Sequence, residues 1–541
     1  MADEVDVVII GAGFAGMYML HRCRGLGLTT RVFEAGDGVG GTWYWNRYPG
    51  ARCDVESLEY SYQFDEALQQ EWSWSERYSA QPEILDYANH VADRFDLRSG
   101  ITFSTRVEGA TWDDAHHRWT VTAAAVDDPA HAPETIVSRF VVAATGCLSS
   151  TNQPAVPGLD RFGGELYHTG AWPHDPVDFA GKRVGIIGTG SSAVQSIPVI
   201  AEAIGADGSL TVFQRTAQYA VPARNRPQDP AYEAEIKADY PRFRTANALM
   251  PAGFGSRFRI GDRAALEVTE AEFRAEMERR WDEGGFAFTS GFIDTRLDPD
   301  ANTLVADFVR EKIGDIVTDP ETAAKLMPST TFACKRLCLD TGYFETYNRP
   351  NVHLVDISER HGVDEITEAG VVANNESHEL DMLIFATGFD AMTGTMLKID
   401  WRGVDGMTLY DEWYAGPRTY LGLGIVGFPN LFTVTGPGSP SVLTNMLVAI
   451  QQHVEWITDC IESLDDQGAT RIEATADAAD AWVAHVNAVA DETLYPTCNS
   501  WYLGANIPGK PRIFMPLLGF PPYVEVCDAV AADGYRGFAI A

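Results

Sequence analysis

The chain is short of positive charge. Its 41 Lys and Arg stand against 76 Asp and Glu, a formal net charge of −35. A surface with that balance does not displace the counterions of a nucleic acid, nor does it settle on anionic lipid. Long apolar runs are missing as well, and none could span a bilayer. The opening Met1-Ala2-Asp3-Glu4 is acidic and leads straight into a strand, unlike the basic-then-apolar start of a secretory signal. No nucleic acid and no membrane are expected as partners, and the expected place is the cytosol. Cysteines are few and scattered. Cys23, Cys53, Cys147, Cys334, Cys338, Cys460, Cys498 and Cys527 form no Cys-x-x-Cys pair and have no His partner at zinc-finger spacing. Reduced thiols, in the core or at the surface, are expected. Cys334 and Cys338 would face one way on a helix, but two thiols without further ligands make a poor metal site, so no metal is expected. Low-complexity segments are absent, and no obligate protein partner is evident.

What the chain does have is two glycine-rich turns. At 541 residues it exceeds what one core usually supports, so two or three domains are expected. The first turn closes a strand from Val5 to Ile10 and opens an apolar helix from Phe14 to about Leu26. It reads Gly11-Ala12-Gly13-Phe14-Ala15-Gly16. In such a turn the first glycine allows the bend, the second lets backbone approach a pyrophosphate, and the third lets helix pack on strand. The helix N-terminus then offers N–H groups and a positive dipole end to phosphate. A second strand, Thr29 to Phe33, ends at Glu34, where an acid takes the adenosine ribose hydroxyls.

The second turn repeats the design after a strand from Arg183 to Ile187. It runs Gly188-Thr189-Gly190-Ser191-Ser192-Ala193 and continues into Val194 and Gln195; the stretch from Thr189 to Gln195 is expected to contact a dinucleotide. Its following strand, Leu210 to Phe213, ends in Gln214-Arg215-Thr216 with no acid. Arginine forks donors onto a 2′-phosphate that a carboxylate would repel, so NADP(H) is expected over NAD(H). One dinucleotide turn suggests a binding domain. Two suggest electrons passing from one dinucleotide to another.

The fold expected is α/β, with two Rossmann-like dinucleotide-binding domains and a helical insertion. Apolar strands from Phe140 to Ala144 and from Met382 to Ala386 both run into Ala-Thr-Gly, and these mark the two crossings between domains. The FAD-type domain would comprise residues 1–145 and 388–541, and the NADP-type domain 152–224 and 331–381. Residues 225–330 read as the insertion, with a capping box at Thr269 and Glu272 and a helix start at Asp319-Pro320-Glu321; it is placed to wall the active site. Before the first crossing lies a strand-like stretch, Thr111 to Val121, and a loop rich in Ala, Asp and Pro.

Between the two turns stands Phe162-x-Gly164-x3-His168-x3-Trp172-Pro173, and near the first stands Gly40-Gly41-x-Trp43-x4-Tyr48-Pro49-Gly50-x3-Asp54. By these two motifs the chain resembles the type I Baeyer–Villiger monooxygenases over essentially its whole length. That resemblance implies FAD, NADPH and O2 as cofactors and co-substrate, and a ketone as substrate. The implied course is flavin reduction by NADPH, a C4a-peroxyflavin and a Criegee adduct, giving an ester or lactone, with sulfides open to the same oxidant. It places the catalytic arginine at Arg336, in Cys334-Lys335-Arg336-Leu337, with Asp54 as its carboxylate partner. Lys335 would join Arg215 and Thr216 on the NADP 2′-phosphate. Thr42, Trp43, Tyr44 and Trp45 would line FAD, with Val55, Tyr60 and Val107 as further contacts, and Arg52 and Cys53 would meet nicotinamide. Trp501 resembles a loop tryptophan that covers NADP, and Met446 falls where the ketone pocket meets flavin. His168 is expected to hold hinge geometry rather than to move protons. Aryl, aliphatic, cyclic and steroid ketones all stay open, with bulky or aryl ketones favoured by resemblance.

Three other functions share parts of this pattern. A flavin-containing N- or S-monooxygenase has a related linker but lacks Trp172-Pro173 together with the second motif. A disulfide reductase needs a redox cysteine pair after Gly-Gly-Thr, where this chain has Trp43. A non-oxygenating NADPH flavoprotein would have no use for Arg336 and Asp54.

Overall fold

Two sheets, the first mixed and the second all parallel, carry the two glycine turns on their parallel strands. A computed structural model describes residues 3–128, 130, 132–510 and 517–541. Met1 and Ala2 of the acidic start, and Pro129 and His131 of the Ala/Asp/Pro loop, lie outside them. The first sheet is centred on Asp3–Ile10, whose second half, Val7 to Ile10, is buried on both faces as a central parallel strand requires. It pairs in parallel with Thr30–Phe33 on one side and Glu134–Ala143 on the other, with Ile10 opposite Phe33 and Ala143. Leu431–Thr433 then adds to Glu134–Ala143, so the C-terminal part of the chain completes this sheet.

The second sheet has five strands, all parallel, in the order Val352–Asp356, Ser209–Gln214, Arg183–Ile187, Met382–Phe385, Glu165–His168. The stretch between the two glycine turns is thus an edge strand of this sheet. The chain leaves the first sheet after Ala143 and returns to it after Phe385.

Those two exits are built alike. Gly11 has φ +100°, and a Cβ there would stand 2.6 Å from the Ala144 carbonyl oxygen; Gly188 has φ +116° and would strike the Ala386 carbonyl oxygen in the same way. A left-handed φ and a carbonyl in contact leave glycine as the residue that fits. Each Ala-Thr-Gly crossing therefore seals one glycine turn.

His168 ties the crossings together. Its Nδ1 accepts from the Gly170 N–H at 3.0 Å, and its Nε2 faces the Asn152 carbonyl at 3.3 Å and the Thr387 hydroxyl at 3.4 Å. Burial pushes its pKa below the ordinary histidine value, so the ring is a neutral brace between residues 152 and 387.

The insertion is helical, and its two halves serve different cores. Helices Pro230–Ala238 and Tyr240–Ala248 pack Ile236, Tyr240 and Phe243 with the first sheet's core. Buried Arg244 bonds the Glu59 carbonyl and the Ser61 hydroxyl from there. Helices Glu270–Glu283 and Pro299–Ile316 pack Trp281, Phe308 and Val309 with the second sheet. The Thr269–Glu272 capping box is formed, and Asp319 caps Pro320–Leu326. Among the described residues no helix is long and apolar enough to cross a membrane.

Three expectations need correction. Thr111 to Val121 is not one strand but the facing halves of a hairpin, Thr105–Asp113 and Arg118–Ala125. Asp113 turns it, accepting from the N–H groups of Ala115 and His116. Cys334 and Cys338 share no helix: Ala333 sits at φ +60°, Asn302 holds both the N–H and the carbonyl of Phe332, and Cys338 begins the strand Cys338–Asp340. Nor are all cysteines reduced. Cys334 is disulfide-bonded to Cys498, while Cys23, Cys53, Cys147, Cys338, Cys460 and Cys527 are free and buried. The partner comes from 164 residues away, which spacing along the chain does not disclose.

His168→Gln is expected to lower stability by about 1–3 kcal/mol, the cost of a disturbed buried hydrogen-bond network, and to leave the pH profile of kcat in place. Chemical denaturation with steady-state kinetics checks this. Wild-type stability and cofactor affinity with turnover abolished would make His168 a proton-transfer group instead.

Candidate active site

Both glycine turns open helices that no side chain caps: Gly13 precedes Phe14–Gly25 and Gly190 precedes Ser191–Ala203. The first N–H groups of each helix lack intrahelical acceptors and point at the space beyond the turn. Gly13 and Gly41 run backbone to backbone there, a Cβ on Gly41 standing 2.8 Å from the Gly13 Cα. Glu34 lies beneath, its carboxylate accepting from the N–H of Ala12 at 2.7 Å and of Gly36 at 2.8 Å. Burial raises its pKa, against those two bonds. Each oxygen keeps a second lone pair for ribose hydroxyls. Ala15 and Gly16 are in the first turn of the helix, Gly16 against the Gly11 carbonyl.

Trp43 and Tyr60 form a buried edge-on pair, with the Trp43 indole N–H donating to the Tyr60 hydroxyl at 3.0 Å. Tyr44 is sunk against Gly36 and Gly38 and bonded to Asp37, so it shapes the glycine loop from behind. Trp45 stands edge-on to Tyr44, and Thr42 is exposed at the start of their helix. Val55 and Val107 are buried, the latter at an irregularity in its strand. Met446 begins the helix Met446–Gln467, whose N-cap is Asn445.

On the second turn, Thr189 donates to the Thr216 carbonyl at 2.7 Å, Ser192 meets Thr169 at 3.2 Å, and Ser191 lies 3.5 Å from the Cys338 sulfur. Ala193 and Val194 are buried. Arg215 is exposed and Lys335 half-buried beside it. Burial, and then the Arg215 charge, lower the Lys335 pKa. Neither cation has an ion-pair partner among the described residues. Two cations side by side without a carboxylate form a place for an anionic group.

The Tyr48-Pro49-Gly50-x3-Asp54 motif docks the first domain onto this second turn. The Tyr48 hydroxyl donates to Gln195 at 2.8 Å, the Gln195 amide donates to the Arg52 carbonyl at 3.1 Å, and Gly50 lies so close to the Gln195 carbonyl that any side chain would strike it. The Arg52 guanidinium is committed to Glu76, at 2.8 Å. Cys53 is buried, which raises its thiol pKa well above the ordinary value.

That docking brings Asp54 to Arg336. Nε and Nη2 of Arg336 donate to the two Asp54 oxygens at 2.9 and 2.8 Å, and Nη1 donates to the Val442 carbonyl at 2.8 Å. Burial works against the guanidinium charge, but the Asp54 carboxylate more than offsets it and the pKa ends above the usual arginine value. The Phe286 ring, from the insertion, lies 4.7 Å from the guanidinium carbon. Buried Tyr502 also interacts with the guanidinium, its ring tilted 49° to that of Trp501 with centroids 4.3 Å apart. Phe286, Val442 and Tyr502 were not singled out from sequence. No pattern marks them, because each reaches Arg336 through the fold from a separate segment.

Residues 4–204 match the flavin-binding monooxygenase-like family, the class that the two sheets and their glycine turns define. The chain is 43% identical to a Baeyer–Villiger monooxygenase of Pseudooceanicola batsensis over 98% of its own length and 95% of that protein. It is 41% identical to a phenazine N-monooxygenase of Lysobacter antibioticus, over 99% and 97%. A solved oxidised steroid monooxygenase bound to NADP shares 50% identity and superposes with a TM-score of 0.92, over 99% of each chain. The chain belongs to the Baeyer–Villiger monooxygenases.

Arg215→Ala is expected to lower kcat/KM for NADPH roughly 10–100-fold, the worth of about 1.5–3 kcal/mol of hydrogen bonding to a charged group, with kcat/KM for NADH unchanged. An unaltered NADPH/NADH ratio would remove Arg215 from the 2′-phosphate site.

Proposed function

We propose that this enzyme inserts one oxygen atom of O2 beside a ketone carbonyl, giving an ester or lactone, with FAD in the first domain and NADPH in the second. The observation that carries the reading is the Arg336 guanidinium held by Asp54 where the two domains meet. The residues present suit both cofactors. An uncapped helix and the bare Gly13 and Gly41 backbones admit one pyrophosphate, and Gly190, where a Cβ would meet nothing within 4 Å, admits the other. The unpartnered Lys335 and Arg215 suit the extra phosphate of NADPH.

FAD, once reduced by NADPH, supplies the electrons and the activated oxygen. The chain supplies charge, position and dryness. Arg336 stays protonated at any working pH and uses three of its five N–H groups on Asp54 and Val442. Two remain on the Nη atoms, to hold negative charge as it develops on substrate oxygen. The bidentate Asp54 contact fixes the guanidinium plane. Phe286 and Tyr502 cover it and keep water from competing for those donors. Bulky or aryl ketones are the substrates this reading favours, on the likeness to the steroid monooxygenase. It also places the enzyme in the cytosol.

The test is rapid mixing of the FAD enzyme, reduced with one equivalent of NADPH, with oxygenated buffer and a panel of ketones and aromatic amines. Ketone-dependent return of oxidised flavin with ester formation supports the proposal; response to amines alone would make the protein an N-oxygenase, as its phenazine-oxidising relative is named. Arg336→Ala should still bind FAD and accept hydride, with ester formation down about 10²–10³-fold or more, the scale for losing an oxyanion donor. Near wild-type ester formation would remove Arg336 from the chemistry.

A further inference from the structure

The disulfide stands at the edge of the active site. Cys334 is one residue from Lys335 and two from Arg336; Cys498 is three from Trp501 and four from Tyr502. Their Cα atoms are 6.3 Å apart. The loop that carries Trp501 and Tyr502 has only two short 3-10 turns, Tyr495–Thr497 and Trp501–Leu503. Its other polar attachments, among the described residues, are few. Thr497 meets Thr331 at 2.8 Å, the Leu494 N–H donates to the Arg296 carbonyl at 2.9 Å, Asn506 donates to the Phe389 carbonyl at 2.8 Å, and Lys510 bonds Asp390 and the Ala391 carbonyl. One covalent bond therefore joins the segment of the catalytic arginine to the loop that covers it.

The two sulfurs are unequal in access. Cys334 is buried, whereas Cys498 is half-buried between exposed Thr497 and Asn499. The six other cysteines are buried and unpaired, so this is the one pair, among the described residues, that an external oxidant or thiol can work on through a reachable member. Disulfides of intracellular enzymes from mesophiles are usually transient and redox-sensing rather than permanent.

We propose that Cys334 and Cys498 are a reversible oxidation site for hydrogen peroxide that latches the loop bearing Trp501 and Tyr502 over Arg336. The chemistry is two-step. The Cys498 thiolate attacks peroxide, the O–O bond breaks, and a sulfenic acid forms with loss of hydroxide. The Cys334 thiolate then attacks that sulfur and displaces a second hydroxide, which takes up a proton. In sum, two thiols and one peroxide give a disulfide and two waters. The sulfur pair loses two electrons and the peroxide gains them. A small dithiol reverses the reaction, attacking Cys498 first and ending as its own disulfide. An oxygenase that reduces O2 without transferring it releases hydrogen peroxide, so wasteful turnover would close the latch. This source of oxidant and the intracellular setting rest on the reading proposed above.

Consequences follow for the loop. With the latch closed, Tyr502 stays against Arg336, with Trp501 beside it. With it open, the loop keeps its hydrogen bonds, one ion pair and the packing of Tyr502 with Cys147, Ala391, Met392 and Val442, but no covalent tie, and it opens more often.

The FAD-loaded protein, purified without reductant, is divided and treated with hydrogen peroxide or with dithiothreitol, then alkylated under denaturing conditions and peptide-mapped. The oxidised sample should yield the peptide pair linking Cys334 and Cys498, and the reduced sample should carry alkyl groups on both. Limited proteolysis should cut between residues 493 and 510 roughly tenfold faster after reduction, since cleavage follows the population of the open form. Cys498→Ser should cut at the fast rate with or without peroxide. The proposal is overturned if peroxide forms no Cys334–Cys498 link in the folded protein, or if the loop is cut equally fast in both redox states. Neither readout involves ketone turnover, so failure of the oxygenase reading would leave both measurements standing.

Discussion

Asp54 and Arg336 are 282 residues apart in the chain, and the two hydrogen bonds between them, 2.9 and 2.8 Å long, are where the architecture converges. Asp54 arrives on a loop of the first domain, Arg336 on a segment beside the second, and the third acceptor, the Val442 carbonyl, on the C-terminal return to the first. With about a quarter of each side chain exposed, the pair adds little net stability. The Coulomb gain is set against desolvation, and breaking such a pair costs more than forming it gains. Its role is positional. Other contacts bear the work of assembly, namely Tyr48 on Gln195, Gly50 on the Gln195 carbonyl and Arg244 on the Glu59 carbonyl. The ion pair records whether that assembly is correct.

Correct assembly depends in turn on where the chain crosses between sheets. Gly11 and Gly188 each hold a left-handed φ against an alanine carbonyl at the start of a crossing, so each dinucleotide turn and each crossing share one joint. A shift of either crossing would move a helix N-terminus and the backbone that faces its phosphate. His168 bonds Asn152 on the outgoing crossing and Thr387 on the returning one, and it sits on the edge strand of the second sheet. This gives the histidine in the middle of the motif a structural part. A neutral imidazole, accepting from the Gly170 N–H at one nitrogen and facing the Asn152 carbonyl and the Thr387 hydroxyl with the other, reinforces the direct Thr387–Asn152 hydrogen bond between the crossings.

Much of this was legible in the letters. Strand, glycine turn and helix sit within about twenty residues of one another, and turn geometry is a local matter of sterics, so both dinucleotide turns could be read directly. The capping box at Thr269 and Glu272 is local in the same sense. The meeting of Asp54 with Arg336 was legible only through resemblance, since no local rule links positions so far apart. What escaped was non-local or conformational. The Asp113 turn split one apparent strand into a hairpin, because alternation continues through both halves. Phe286 reached Arg336 from the insertion, whose own pattern says only that it is helical. The Cys334–Cys498 bond depended on a loop folding back over the site, and the cysteines' spacing carried no trace of it.

The charge distribution adds a last constraint. The surface is strongly acidic, at −35 overall, yet the cleft gathers Lys335, Arg215 and Arg336, and of these only Arg336 has a carboxylate in contact among the described residues. Like charges this close raise each other's free energy, and the Lys335 pKa is lowered first by burial and then by the Arg215 charge. An anionic ligand relieves that repulsion, whereas a neutral ketone gains nothing from it. Field lines from an acidic exterior converge on such a basic cleft. Under the proposed function the arrangement separates two demands: long-range electrostatics would select and orient the phosphate-bearing cofactor, while the residual N–H groups of Arg336 would be kept at short range for charge that appears only as the substrate reacts.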